Sequence, residues 1–537
     1  MCYELISNFF GTHIYLPVFL CFHNNTLKAI FFIHILTNSF PVIMSSYNLK
    51  FILLFFLVNR FVDSIEDNLR FPQNFSIGSA TASYQVEGGW NASDKGENIW
   101  DWFTHLKPSR IFDESTGDVA CDSYSKYKED VKILKNIGFD HYRFSISWSR
   151  ILPNGFANNV SKNGIKYYAD LLDELNSKGI TPYVTLYHWD HPSILEKLGG
   201  WTNKLMVEWF ADYARIVFRE LGPKIKIFLT VNEPTVFCGF GYGSLQRAPG
   251  INLPGLGNYL CVHNVLKAHA RAYHIYDKEF RPQQNGLISI VLHCTRFYPD
   301  DPNDTLLDDI GFQFSCGWTA HPIFSKNGDY PEIMKNIIRR KSLLQGWSQS
   351  RLPNFSQKWI SYIRGTADFF ALNHYTARII QNRTGYIGPF FNDLDINLTV
   401  DPNWPTTESE YFFIVPEGFR SILNRIKEEY ANPPVYVMEN GFSNSAVLDD
   451  VQRLNGIKVY LKALLMAIHK DGCNVKAYTV WSLLDNFEWD RGYSERFGIV
   501  HVDFNDPDRK RTLKQSAMWL KSMLSKRDLN AADNTVY

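Results

Sequence analysis

The stretch IKIFLTVNEP, residues 225–234, decides the fold of this 537-residue chain. Ile225, Ile227, Phe228, Leu229 and Val231 make a short apolar run that reads as a strand. Asn232 and Glu233 end it, and Pro234, which has no N–H to give a sheet, forbids its continuation. A turn needs nothing more than this, and a lone carboxylate after a strand is ordinarily solvated. Glu233 acquires a chemical meaning only if its strand belongs to a set whose ends converge.

Such a set is present. Strand-like runs rich in Val, Ile, Phe and Tyr occur at residues 75–85, 141–148, 181–190, 225–233, 286–294, 368–376, 434–440 and 475–489. Helical spacing fills the gaps. Tyr127, Val131, Leu134 and Ile137 recur at helical intervals ahead of Gly138, and residues 164–179 repeat the pattern up to Gly179. Residues 205–221, 258–280, 417–430 and 451–472 read likewise. Eight strands alternating with helices predict an α/β fold, a single (β/α)8 TIM barrel with long βα-loop insertions. Insertions or extra helices are expected after strands five, six and seven. No low-complexity segment or long Pro/Gly/Ser linker interrupts 65–525, so one domain is expected over 65–530, followed by a C-terminal tail at 531–537.

Composition narrows the classes of function. Lys and Arg total 55 against 55 Asp and Glu, so no basic stripe exists to meet phosphates and no nucleic-acid partner is expected. The 14 Trp and 28 Tyr residues serve mainly a large core, but indole faces also suit the apolar C–H faces of sugar rings. Beyond the N-terminal leader no window holds about 18 unbroken apolar residues, so no membrane anchor is expected.

The N-terminal segment has its own pattern. Residues 44–64 contain Met44, a lone Lys50, an apolar run over 51–58, and Val62 and Ser64 at the spacing of a cleavage site. That is the layout of a secretory signal peptide. Residues 1–43 show no domain pattern and are expected to be non-native or extra leader sequence ahead of Met44. A secreted glycoprotein is the consequence, with acceptor sequons at Asn74, Asn91, Asn159, Asn303, Asn354, Asn382 and Asn397. Six cysteines follow the leader without a CxxC pair, so no metal or other cofactor is expected. Cys238 and Cys261 bracket one loop and are the candidate disulfide.

In a (β/α)8 barrel, chemistry gathers at the C-terminal ends of the strands. Here those ends carry Gln85, Arg143, His188, Asn232 with Glu233, Asn373 with Tyr375, Glu439 with Asn440, and Trp481 with Glu488 and Trp489. Any one of these has a structural explanation; the set around one mouth does not. Glu233 follows strand four and Glu439 strand seven, so the two can converge across the mouth. Paired carboxylates at one reacting centre are the arrangement that hydrolyses a glycosidic bond. Arg143 and Tyr375 are suitable donors to keep Glu439 ionised, whereas an acid at Glu233 needs a less compensated site.

The segments FSIGSATASYQVEGGW, YRFSISWSRILP, YHWDHP, TVNEP, ALNHYTAR, VMENGF and VWSLLDNFEWDRGYSERFGIVHVDF resemble, in order, the signature segments of glycoside hydrolase family 1. The resemblance covers essentially all of 70–525 and is most similar in texture to insect β-glucosidases and thioglucosidases. It implies Glu233 as acid/base and Glu439 as nucleophile of a retaining β-glycosidase acting on terminal β-D-glucosides, with β-galactosides or fucosides as further substrates. It implies that Gln85, His188, Asn232, Tyr375, Trp481, Glu488, Trp489 and Phe497 hold the sugar, and that Arg143, Tyr375 and Asn373 position the nucleophile. The expected partner is a small-molecule β-glycoside, with a homodimer left open and secretion as the location. Two alternatives stand beside it: thioglucosidase activity on glucosinolates, and a catalytically silent binding protein of the same family. Two positions depart from the family pattern, His191 where Leu is usual and Met438 where Thr is usual.

Overall fold

The computed structural model describes residues 69–382, 393–445 and 447–530, together with the backbone of three short N-terminal strands. Contacts divide the chain into two units, Met1–Asp67 and Asn68–Tyr537. In the first, Cys2–Leu5, Val18–His23 and Thr26–Ile30 pair as an antiparallel sheet. The stretch 44–64, expected to be a signal peptide, and the expected tail 531–537 lie outside the described residues.

The second unit is a closed barrel of eight strands: β1 Ser76–Ala80, β2 His141–Ser145, β3 Thr181–Tyr187, β4 Ile227–Asn232, β5 Leu287–His293, β6 Phe370–Asn373, β7 Val435–Asn440 and β8 Val475–Trp481. Every neighbouring pair is parallel. Parallel strands are covered on both faces, which is why β4 is buried at all six positions. Its residues still alternate. Ile227 and Leu229 point inward and pack with Tyr183, Val291, Phe369, Ala371 and Met438 to fill the barrel interior. Phe228 points outward into the larger core shared with the surrounding helices, and the Thr230 hydroxyl reaches His269 at 2.8 Å on the helix Gly257–Ile275.

The helices form where the apolar spacing puts them. Ser123–Ile137 buries Val131, Leu134 and Ile137 and ends on Gly138 in the left-handed conformation that glycine adopts without strain. Lys162–Ser177 begins on Ser161, whose hydroxyl accepts from the Gly164 amide.

Two strand ends and one connection differ most from the sequence reading. The first strand stops at Ala80, and Gln85 lies in the one-turn helix Ser83–Val86. The last stops at Trp481, so Glu488 lies beyond it and Trp489 opens the 3-10 turn Trp489–Arg491. Side chains there outcompete the ladder: Asn486 Nδ2 donates to Ser482 Oγ at 3.0 Å and to the Leu484 carbonyl at 2.9 Å. The expected insertion after strand seven is absent, because the helix Val451–His469 fills that gap. Long connections follow β1, β4, β5, β6 and β8 instead. Those after β5 and β6 join in an outer sheet of Arg296–Pro299, Ala377–Asn382 and Ile396–Thr399.

Two disulfides brace these connections. Cys238 pairs with Cys261, and Cys294 with Cys316. The second pair carried no signal in the sequence, since it links the first residue beyond β5 to a helical segment of the same connection. Cys121 and Cys473 are buried free thiols. All seven sequon asparagines are exposed.

Candidate active site

The mouth of the barrel is built from β4 outward. Glu233 leaves the strand with φ of 46°, the left-handed region, while its amide stays on the Val291 carbonyl at 2.9 Å. Pro234 then opens the helix Pro234–Tyr242 at its first position, where no N–H is needed. That backbone turn explains the NEP sequence. It costs about 1–3 kcal/mol for a non-glycine residue, a strain that persists only where the surroundings enforce it.

The two carboxylates are joined by one buried network. Arg143 Nη1 donates to Glu439 Oε1 at 2.5 Å, and its Nη2 to Asn232 Oδ1 at 2.7 Å. Asn373 Nδ2 donates to that same Asn232 oxygen at 3.2 Å and to Glu233 Oε1 at 2.7 Å. Tyr375 donates to the second oxygen of Glu439, Oε2, at 2.5 Å. Glu439 is therefore gripped on both oxygens. Among the described residues Glu233 is held only on Oε1, by Asn373 and by His293 Nδ1 at 3.2 Å. Strand register explains the assembly: Asn373 pairs across the sheet with Glu439 on one side and His293 on the other.

Burial and charge act on this pair in opposition. Burial pushes Glu439 up to about 7; Arg143 opposes it and the charge of Glu233 adds to it. Burial also raises Glu233, but the neighbouring His293, its hydrogen bond and that of Asn373 outweigh this and leave the carboxyl below the ordinary value. This division differs from the sequence reading, which had Arg143 and Tyr375 dominate at Glu439. The donors are in place, but removing the carboxylate from water costs more than they return.

The remaining residues surround these two. Gln85 Nε2 donates to Asn486 Oδ1 and the Phe487 carbonyl, each at 2.9 Å, and lies 3.3 Å from Glu488 Oε2. Asn232 Nδ2 meets His188 Nε2 at 3.0 Å. The His188 ring lies 6.0 Å from Trp481 and 5.7 Å from Trp489, nearly parallel to both. Phe497 clusters with Trp481 and Tyr375. Burial pushes Glu488 up to about 8, against the pull of Arg247. Gln85 Oε1, His188 Nδ1 and Asn373 Oδ1 are buried without a hydrogen-bond partner. Orphaned polar atoms are rare in a protein interior, and three at one mouth suit a ligand bearing several hydroxyls.

Two neighbours were not singled out in the sequence. His293 ends β5, and the strand-end rule applied to the other strands would have found it. Arg247 lies over the rings of Trp189 and Phe240 and bonds Asp490 at 2.7 Å; it sits in a loop, where no pattern marks it. The two departures from the family pattern do not join the network of the carboxylates through their side chains. His191 bonds Tyr187 at 2.9 Å and Glu196 at 3.0 Å, and the Met438 side chain fills the barrel interior. Among the described residues no cluster of His, Cys, Asp or Glu could hold a metal.

An eight-stranded parallel barrel with its polar residues converging at the strand ends defines a (β/α)8 enzyme. The chain belongs to glycosyl hydrolase family 1, whose model matches residues 67–529, and it is an O-glycosyl hydrolase. It is 45% identical over 460 residues to Myrosinase 1 of Brevicoryne brassicae, covering 85% of this chain and 98% of that protein. It is 43% identical over 471 residues to a human cytosolic beta-glucosidase, covering 86% of this chain and 100% of that one. The solved structure of aphid myrosinase superposes with a TM-score of 0.82 at 45% identity, over 85% of this chain and 99% of the other.

Proposed function

We propose that the protein is a retaining β-glycosidase acting on terminal β-D-glucosides, with Glu439 as nucleophile and Glu233 as acid/base. One observation carries this reading: two buried carboxyls share a network, yet one is clamped on both oxygens and the other on one. A nucleophile benefits from a fixed carboxylate, and an acid/base needs an oxygen free to exchange a proton. In the first step Glu439 bonds to the anomeric carbon while the C–O bond to the leaving group breaks, and the proton of Glu233 passes to the leaving oxygen. In the second, Glu233 takes a proton from water, whose oxygen displaces Glu439.

Gln85, Glu488, His188 and Asn232 supply hydrogen bonds to the sugar hydroxyls, and Trp481, Trp489 and Phe497 its apolar wall. Burial raises the pKa of the Glu488 carboxyl, and in its protonated form it can both donate and accept. The test is turnover of aryl β-glycosides followed by NMR. A β-anomer as the first product supports the reading; an α-anomer first, or no turnover, overturns it.

Thioglucosidase activity is the second reading, favoured by the 45% identity to a protein named myrosinase. Glu233 speaks for the O-glycosidase, since a thiol-type leaving group needs little protonation. Two disulfides and seven exposed sequon asparagines support secretion as a glycoprotein.

A further inference from the structure

Beside the paired carboxylates stands a third titratable group that the double displacement does not itself use. His293 is the last residue of β5 and is buried over most of its surface, its side chain 19% exposed. Each ring nitrogen has one partner: Nδ1 meets Glu233 Oε1 at 3.2 Å, and Nε2 meets Thr295 Oγ1 at 2.9 Å. The ring lies 6.3 Å from that of Tyr375 and nearly parallel to it.

The support behind this ring is unusually firm for a segment that has just left a sheet. The Thr295 amide donates to Ser315 Oγ at 2.9 Å, and that hydroxyl donates to the Thr295 carbonyl at 2.9 Å. The residue between, Cys294, is tied to Cys316 by a disulfide, and its amide donates to the Asn373 carbonyl at 3.0 Å. Four attachments thus fix the two-residue step that aims the imidazole. A histidine present only to fill space needs none of them.

Hydrogen-bond inventory then limits what the ring can be. If both nitrogens carry protons, Nδ1–H forms an ion pair with Glu233, and the carboxyl loses the proton it must deliver. If the ring is neutral with its proton on Nδ1, the Thr295 hydroxyl can donate to Nε2, and every group is satisfied. Glu233 Oε1 then accepts two N–H bonds, from His293 and Asn373. An oxygen accepting two donors has no room for a proton of its own, so the acid proton goes to Oε2.

We propose, building on the acid/base reading of Glu233, that His293 is its positioning residue: anchored through Nε2 by Thr295, it occupies Oε1 and assigns the transferable proton to Oε2. The ring meets the acid/base through Oε1, the oxygen that does not carry the transferable proton. Its effect falls on proton delivery and leaves the nucleophile alone.

The experiment is a leaving-group series of aryl and alkyl β-glucosides with the full-length enzyme, measured as kcat/KM. General-acid help is worth about 10²–10⁴-fold, so His293→Ala is expected to lose about tenfold or more on alkyl leaving groups and to stay within about twofold on dinitrophenyl. His293→Asn keeps a donor near Nδ1 and is expected to restore most of the loss. Thr295→Val removes the hydroxyl that anchors Nε2 and is expected to show the same selective loss; it decides the matter if His293→Ala does not fold. Equal depression of all substrates, or no change, in the variants that fold overturns the proposal. A wild-type enzyme without β-glycosidase turnover overturns the reading beneath it instead.

Discussion

Arg143 Nη1 and Glu439 Oε1 stand 2.5 Å apart at the barrel mouth although 296 residues separate them in the chain. Closure of the barrel brings β2 to face β7, and both side chains end 1% and 4% exposed. An ion pair this deep makes removal of either partner costly, because the other is left as an uncompensated buried charge. The chemistry of Glu439 and the stability of the mouth are therefore linked.

Glu439→Ala is expected to abolish turnover of β-glucosides and to regain part of it with azide or formate, which replace the lost carboxylate. An α-linked glycosyl azide, identified by NMR, is the expected product. Rescue that yields the β-linked azide excludes Glu439 as the nucleophile.

Tyr375→Phe removes the 2.5 Å hydrogen bond to Glu439 Oε2. That bond favours the ionised carboxyl and lowers its pKa, so its loss raises the pKa further. The acid limb of the kcat/KM profile is expected to move up by about one pH unit, the equivalent of one hydrogen bond to a charged group. A limb that stays in place separates Tyr375 from the titration of Glu439.

Asp190 tests the stability side of the same burial. Burial pushes this carboxyl from 3.8 up to about 7, opposed by its hydrogen bond from Ser83. The raised folded value means that its contribution is fully present below about pH 4 and is lost as pH rises through 7. Asp190→Asn should abolish that decline, which is on the order of 4 kcal/mol at most. Urea midpoints of both proteins across pH 4 to 8 measure it, and parallel curves count against the assignment.

Reduction of the Cys294–Cys316 bridge, or Cys316→Ser, opens a loop with a sequence separation of 22. A loss of about 3 kcal/mol is expected, as for loops of this length. It should appear as a lower urea midpoint in the folded, oxidised comparison.

The barrel itself was legible in the sequence because alternating strand and helix patterns are local. The apolar run before Asn232 and the helical spacing before Gly138 need no knowledge of the rest of the chain. Boundaries were less legible: the strand patterns of 75–85 and 475–489 continue past the points where Ser83, Ser482 and Asn486 divert the backbone into side-chain hydrogen bonds. Much of the mouth could be read as polar residues at strand ends, yet His293 was passed over and Arg247 was invisible in a loop.

Sequence by itself determined that this chain forms one (β/α)8 barrel of glycosyl hydrolase family 1 and which side chains stand at its strand ends, since periodicity and motifs are properties of neighbours along the chain. Only the tertiary structure decided how those side chains divide the charge. The two grips on Glu439, the hold on one oxygen of Glu233 and the ring of His293 beside it arise from residues 60 to 296 positions apart in the chain, and a carboxyl's proton depends on which groups surround it in space and how little water remains there.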